Sequence, residues 1–116
     1  YVMANLLWDP TRSGQQLVDE FLDLHYGPAA PPIRRFINMY HDHCAAQGIH
    51  RNCFGRGADY AIDETIAQAA LAAFSEALAL ADSDVVKARV DKASICAYRA
   101  ANRCGQEPVA RGDHAP

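Results

Sequence analysis

Three histidines and two cysteines crowd one short stretch of this chain: His41, His43, Cys44, His50 and Cys53. Imidazole nitrogens and thiolates are the donors zinc prefers, so the first chemistry to weigh is a metal site. His41 and Cys44 stand at i, i+3 and share a helix face, but His43 points elsewhere. No carboxylate is placed to orient the rings, and no tight cysteine pair is present. Surface histidines on a helix are the expected reading, with no metal and no cofactor. The other two thiols, Cys96 and Cys104, sit about 12 Å apart along one helix by its rise and cannot pair while it is intact. Free, partly buried thiols are expected; Cys44–Cys53 pairing across a loop, or Cys53 with the last helix, stays open. A disulfide would imply an oxidising compartment.

Nucleophilic catalysis has little to work with. Ser13, Ser75, Ser83 and Ser94 lack a nucleophile-elbow context, and Gly55-Arg56-Gly57 is too short for a phosphate loop. Asp63-Glu64 and Asp82-Ser83-Asp84 read as helix starts, and no two carboxylates are held across a cleft as glycoside hydrolysis needs. The chain by itself is therefore expected to have no catalytic residue. Trp8 is the exception that invites a functional reading. An indole can stack on the apolar face of a sugar while Asn5 or Asp9 hydrogen-bonds its hydroxyls. The competing reading is that Trp8 is a packing wedge between two domains.

Those residues need elements to position them. Tyr1 to Trp8 reads as a buried strand ending at Asp9-Pro10, yet nothing nearby could pair with it. The expectation is a piece of a longer protein, with residues 1–10 as the remnant of a terminal strand and junction. Residues 11–105 then form a helical domain, and 106–116 a loose tail without apolar periodicity.

Ser13-Gly14-Gln15-Gln16 resembles a capping box, and Leu17, Val18, Phe21, Leu22 and His25 form one helical face, closed by Gly27-Pro28. Pro31 and Pro32 suit the first turn of a second helix carrying Ile33, Phe36, Ile37, Tyr40 and Cys44. A loop over 49–62 follows; its length suggests function or docking. Asp63 caps a third helix rich in alanine, with Ile66, Ala69, Ala70, Ala73, Phe74, Ala77 and Leu78 inward. Ser83 region residues cap a fourth, reaching about Arg103. The fold class is all-α: four helices in two consecutive hairpins. Phe21, Leu22, Phe36, Ile37, Tyr40, Phe74 and Val90 are the expected core.

Composition narrows the partners. One hundred and sixteen residues suit one domain, and a formal charge of −3 gives no global attraction to nucleic acid or to an anionic membrane. No apolar run approaches the roughly 20 residues that span a bilayer. No secretory signal is visible, which leaves the compartment open, the periplasm and the cell exterior included.

Leu6-Leu7-Trp8-Asp9-Pro10, Leu17-Val18-Asp19-Glu20-Phe21-Leu22, Tyr26-Gly27-Pro28-Ala29-Ala30 and Ile33-Arg34 resemble a bacterial family catalogued as domain of unknown function 4838. The resemblance is best over 1–48, and the Tyr-Gly-Pro-Ala-Ala run is its most distinctive piece. Members look like glycoside hydrolases related to alpha-glucuronidases, with a catalytic (β/α)8 barrel followed by a helical region. The resemblance implies that this chain is the end of the barrel plus that helical region. It would be non-catalytic, packed on the upstream barrel, and part of an enzyme whose substrate is carbohydrate. Trp8, Asp9 and Asn5 would then lie at the barrel's rim, and no catalytic residue carries over. The alternative is a small helical interaction module that binds a protein in a groove between its hairpins, with no enzymatic parent.

Overall fold

The structure, a computed structural model, describes residues 1–55 and 57–104. Among them there are five α-helices and no strand. The all-α expectation holds, whereas the opening segment is not a strand: Val2–Trp8 is a helix, α1. A seven-residue apolar run fits either period, and here helical spacing wins. Val2, Asn5, Leu6 and Asp9 are half-buried, while Met3, Ala4, Leu7 and Trp8 are exposed, so the run has two helical faces rather than two alternating ones. Pro10 fixes the end. The residue before a proline is pushed out of the helical region, and Asp9 adopts an extended φ of −138° and ψ of 93°.

Helix α2, Gly14–Tyr26, starts as its sequence demands, with the Ser13 hydroxyl accepting from Gln16 N–H at 3.4 Å. Gly27 ends it at φ +51° and ψ −126°, a conformation that glycine alone adopts without strain. A single 3₁₀ turn, Gly27–Ala29, leads straight into α3, Ala30–Ala46, whose prolines occupy the first turn where no N–H is missed. The connection through Pro28 is thus a tight corner. Ala29 and Ala30 are fully buried there, where the corner meets the last two helices.

The segment after α3 holds a short 3₁₀ turn, Gly57–Tyr60. Helix α4, Glu64–Leu80, is capped by Asp63, whose Oδ1 accepts from Ile66 N–H at 2.9 Å. Helix α5, Asp84–Cys104, begins where the Ser83 hydroxyl accepts from Val86 N–H at 3.2 Å. These two form the most extensively packed hairpin, and α3 lies on α4.

One core joins the corner to this hairpin: Leu22, Ala29, Ala30, Ile33, Ala70, Phe74, Ala77, Val90 and Ala97. Leu22, Phe74 and Val90 are buried as expected, while Phe21, Phe36 and Ile37 only lean on the core and Tyr40 is half-buried. Leu78, expected inward, is exposed, and Ala67 takes a buried place instead. The alanine-rich face permits this close approach, since small side chains add little to the separation between helices. Gly105, the last residue of the expected helical domain, and the tail 106–116 lie outside the described residues, as does Arg56.

Candidate functional site

Helix α1 is held to α2 by polar groups on its inner face. The Tyr1 hydroxyl donates to a Glu20 carboxylate oxygen, and the Arg12 guanidinium reaches the other oxygen at 2.7 Å. A second Arg12 nitrogen donates to Asn5 Oδ1 at 3.2 Å, and Asn5 Nδ2 donates to the Tyr1 carbonyl at 2.9 Å. The Tyr1 ring lies 5.7 Å from that of Phe21, adding an aromatic contact to the polar one. The hydrogen bond from Tyr1, reinforced by Arg12, holds Glu20 below the usual carboxylate range. The same contact raises the Tyr1 phenol.

Asp9 is similarly occupied. Its Oδ1 accepts from the Thr11 hydroxyl at 2.6 Å and from Thr11 N–H at 3.1 Å, a local turn that lowers the carboxyl's pKa. Of the three residues read as sugar contacts, Asn5 and Asp9 are therefore engaged in building the α1–α2 joint. Trp8 has no such engagement: it is 93% exposed, beside Leu7 at 84% and Met3 at 78%. Met3 with Leu7, and Ala4 with Trp8, stand at i, i+4, so these four share one uncharged face. Sequence reasoning found Trp8 but missed Met3 and Leu7 as its companions. The signal was their helical spacing, which a strand assignment conceals.

The histidines do not assemble. His41 and His50 are exposed, and the His43 ring stands 3.3 Å from the Gln47 amide nitrogen. Among the described residues, no three or more His, Cys, Asp or Glu side chains converge as a metal site would require. The four thiols are free. Cys44 lies 3.7 Å from the Tyr60 carbonyl and Cys104 lies 3.8 Å from that of Ile62, so both brace the segment entering α4. Tyr40 donates to the same Tyr60 carbonyl at 2.8 Å, and burial together with Cys44 pushes its phenol up to about 12.

His25 is structural. It stacks on Phe21 with centroids 5.0 Å apart and meets Tyr26 edge-on at 4.8 Å. Arg89 from α5 donates to its carbonyl at 3.0 Å, closing the end of α2. Desolvation, helped by the Arg89 charge, lowers the imidazole's pKa. Arg34 ties α3 to α2 through Asp19 at 3.1 Å and Asp23 at 2.5 Å. Between α3 and α4 an open groove runs over Pro32, Phe36, Met39, Ala69, Ala72 and Ala73. The Arg35–Glu76 ion pair, at 2.8 Å, lies on its edge.

Residues 1–38 match the model of a family described as a domain of unknown function (DUF4838). The matched stretch contains α1, α2, the corner and the first turns of α3. It supports the family assignment carried by the Trp-Asp-Pro and Tyr-Gly-Pro-Ala-Ala motifs. No curated protein and no solved structure matches the chain.

Proposed function

We propose that this chain is a non-catalytic helical module of a carbohydrate-active enzyme, an alpha-glucuronidase-like glycoside hydrolase, and that α1 docks it onto the catalytic barrel. The observation carrying this reading is the outer face of α1. It presents Met3, Leu7 and Trp8 side by side with no charge anywhere in the helix. Contiguous exposed apolar surface of this kind marks a surface that another protein covers. The match over 1–38 supports the family, and the glycosidase character of the parent is what the resemblance alone contributes.

Between the two roles weighed for Trp8, the geometry favours the wedge. A sugar subsite needs polar groups beside its aromatic platform, whereas Asn5 is tied to Arg12 and Tyr1 and one oxygen of Asp9 is tied to Thr11. An interdomain wedge needs apolar neighbours, which Leu7 and Met3 supply.

The test is enzymatic and structural at once. The isolated chain should leave aryl glucuronides and other aryl glycosides at the blank. In the intact parent, Trp8→Ala should lower thermal stability while kcat/KM of the folded enzyme holds. Turnover by the isolated chain that a single Asp or Glu substitution abolishes would overturn the assignment.

A further inference from the structure

Helices α4 and α5 do not close completely on each other. A cavity of about 90 Å³ opens between them, lined by residues of these two helices alone. Leu71, Phe74 and Val90 give it an apolar floor, and the exposed residues Ser75, Asp91 and Tyr98 stand at its rim. We propose that this cavity binds a straight-chain primary ammonium ion, the alkyl chain lying in the hole and the charge resting on Asp91.

Ser94 explains why the space exists. It lines the cavity, is only 8% exposed, and its hydroxyl donates to the Asp91 carbonyl at 2.6 Å. That bond satisfies the hydroxyl within α5. A small side chain therefore folds back on its own helix where a longer one would reach across to α4. Water gains little from such a floor, because leucine, phenylalanine and valine side chains offer it no hydrogen bond.

Size and polarity select the ligand. An apolar cavity of about 150 Å³ holds benzene, so this smaller one suits a chain of roughly three or four carbons rather than a ring. At the rim, the Asp91 carboxylate makes no hydrogen bond or ion pair among the described residues, and Lys87, one turn earlier, does not pair with it. Tyr98 is 61% exposed and offers a ring face to a cation, with a hydroxyl that has no partner among the described residues. An ammonium carries three donors and no acceptor, which matches a carboxylate flanked by the hydroxyls of Ser75 and Tyr98. An anion would meet an uncompensated carboxylate and a chain of net charge −3. A neutral alkyl group would fill the hole but leave Asp91 unused. Free aliphatic amines and the lysine side chains of other proteins share the chemistry that remains.

The site lies on α4 and α5, so it stands or falls without α1 docking or a glycosidase parent. Titrating the full isotope-labelled chain with n-butylammonium chloride, against sodium chloride of matched ionic strength, should give saturable amide NMR shifts around Ser75, Leu78, Asp91, Ser94 and Tyr98. A Kd on the order of 10 mM is expected for so small a ligand. 1-Butanol has the chain without the charge, and methylammonium the charge with little chain. Each should bind roughly threefold more weakly, or worse. Asp91→Asn should weaken n-butylammonium roughly three- to fivefold, the scale of an exposed ion pair, and bring it level with 1-butanol. Ser94→Leu should fill the hole and abolish saturation while helicity by circular dichroism is retained; if that variant does not fold, the exposed, isosteric Asp91→Asn decides. Tighter binding of Nα-acetyl-lysine methylamide than of n-butylammonium would uphold the site and assign it to a lysine side chain, and weaker binding would uphold it for a free amine. Shifts no different from those in sodium chloride, shifts centred on other carboxylates, or undiminished binding by Asp91→Asn would each overturn the site.

Discussion

Trp8 is the one tryptophan in the chain, so its fluorescence reports a single side chain. A tryptophan buries about 200 Å² when fully covered, worth roughly 5 kcal/mol at 25 cal/mol per Å² as a ceiling. With 93% of it exposed, less than a tenth of that is realised within the chain itself. Trp8→Ala in the isolated chain should therefore cost under about 0.5 kcal/mol. Unfolding entropy near 2.1 cal/mol/K per residue converts this to a melting shift of about 2 °C or less. In the parent the same substitution removes a buried anchor, and about 2 kcal/mol or more of docking energy should go with it. The assay pairs thermal melts of chain and parent with emission and iodide quenching of the isolated chain. Red-shifted, readily quenched emission is expected. A blue-shifted, protected indole in the isolated chain, or an isolated-chain melting point that falls by much more, would refute the exposed-face argument. A parent whose kcat/KM falls while its stability holds would return Trp8 to the sugar.

Three further outcomes follow from the fold. Phe74→Ala, in the core beside Phe36 at 6.4 Å between centroids, should cost about 3–5 kcal/mol and is checked by urea unfolding. Gly27→Ala forces a side chain into φ +51° and ψ −126° and should cost about 1–3 kcal/mol, seen as a lower melting temperature with helicity retained. His25, held below its ordinary 6.5 by desolvation, binds its proton more weakly folded than unfolded. Its contribution is therefore intact above about pH 6.5 and lost as pH falls from there through the depressed folded value. Urea midpoints should decline between pH 7.5 and 5.5, and His25→Gln should flatten that slope.

The helices after Pro10 were legible because each carries its own boundary chemistry. Ser13, Asp63 and Ser83 accept the amide hydrogens that caps are expected to accept. α1 was not legible because its seven residues satisfy either period and its ends lack a side-chain cap. The stop at Asp9-Pro10 was correctly placed, but a proline ends a strand as readily as a helix. Trp8 stood out by type, whereas the engagement of Asn5 and Asp9 depended on Arg12, Thr11 and Glu20 folding back on α1. Such contacts belong to tertiary geometry, and no spacing rule contains them.

The most distinctive motif of the resemblance also changes meaning once folded. Tyr26-Gly27-Pro28-Ala29-Ala30 holds no reactive group, yet it sits where α2, α3, α4 and α5 meet. Gly27 supplies the turn, Pro28 the 3₁₀ geometry, and Ala29 and Ala30 leave no room for a larger side chain. Leu22 and Ile33, on either side, belong to the same core. A motif can thus be specific to a family because it sets an angle rather than because it performs a reaction. That angle fixes where α2 points, and α2 in turn carries Glu20 and Phe21, the residues that seat Tyr1 and hence α1. The corner and the apolar face are therefore structurally linked: the buried alanines set the direction of α2, which seats a helix whose far side leaves Trp8 exposed. Enlarging Ala29 or Ala30 should accordingly disturb α1's seat as well as the core, a coupling expected of packing that tolerates little added volume.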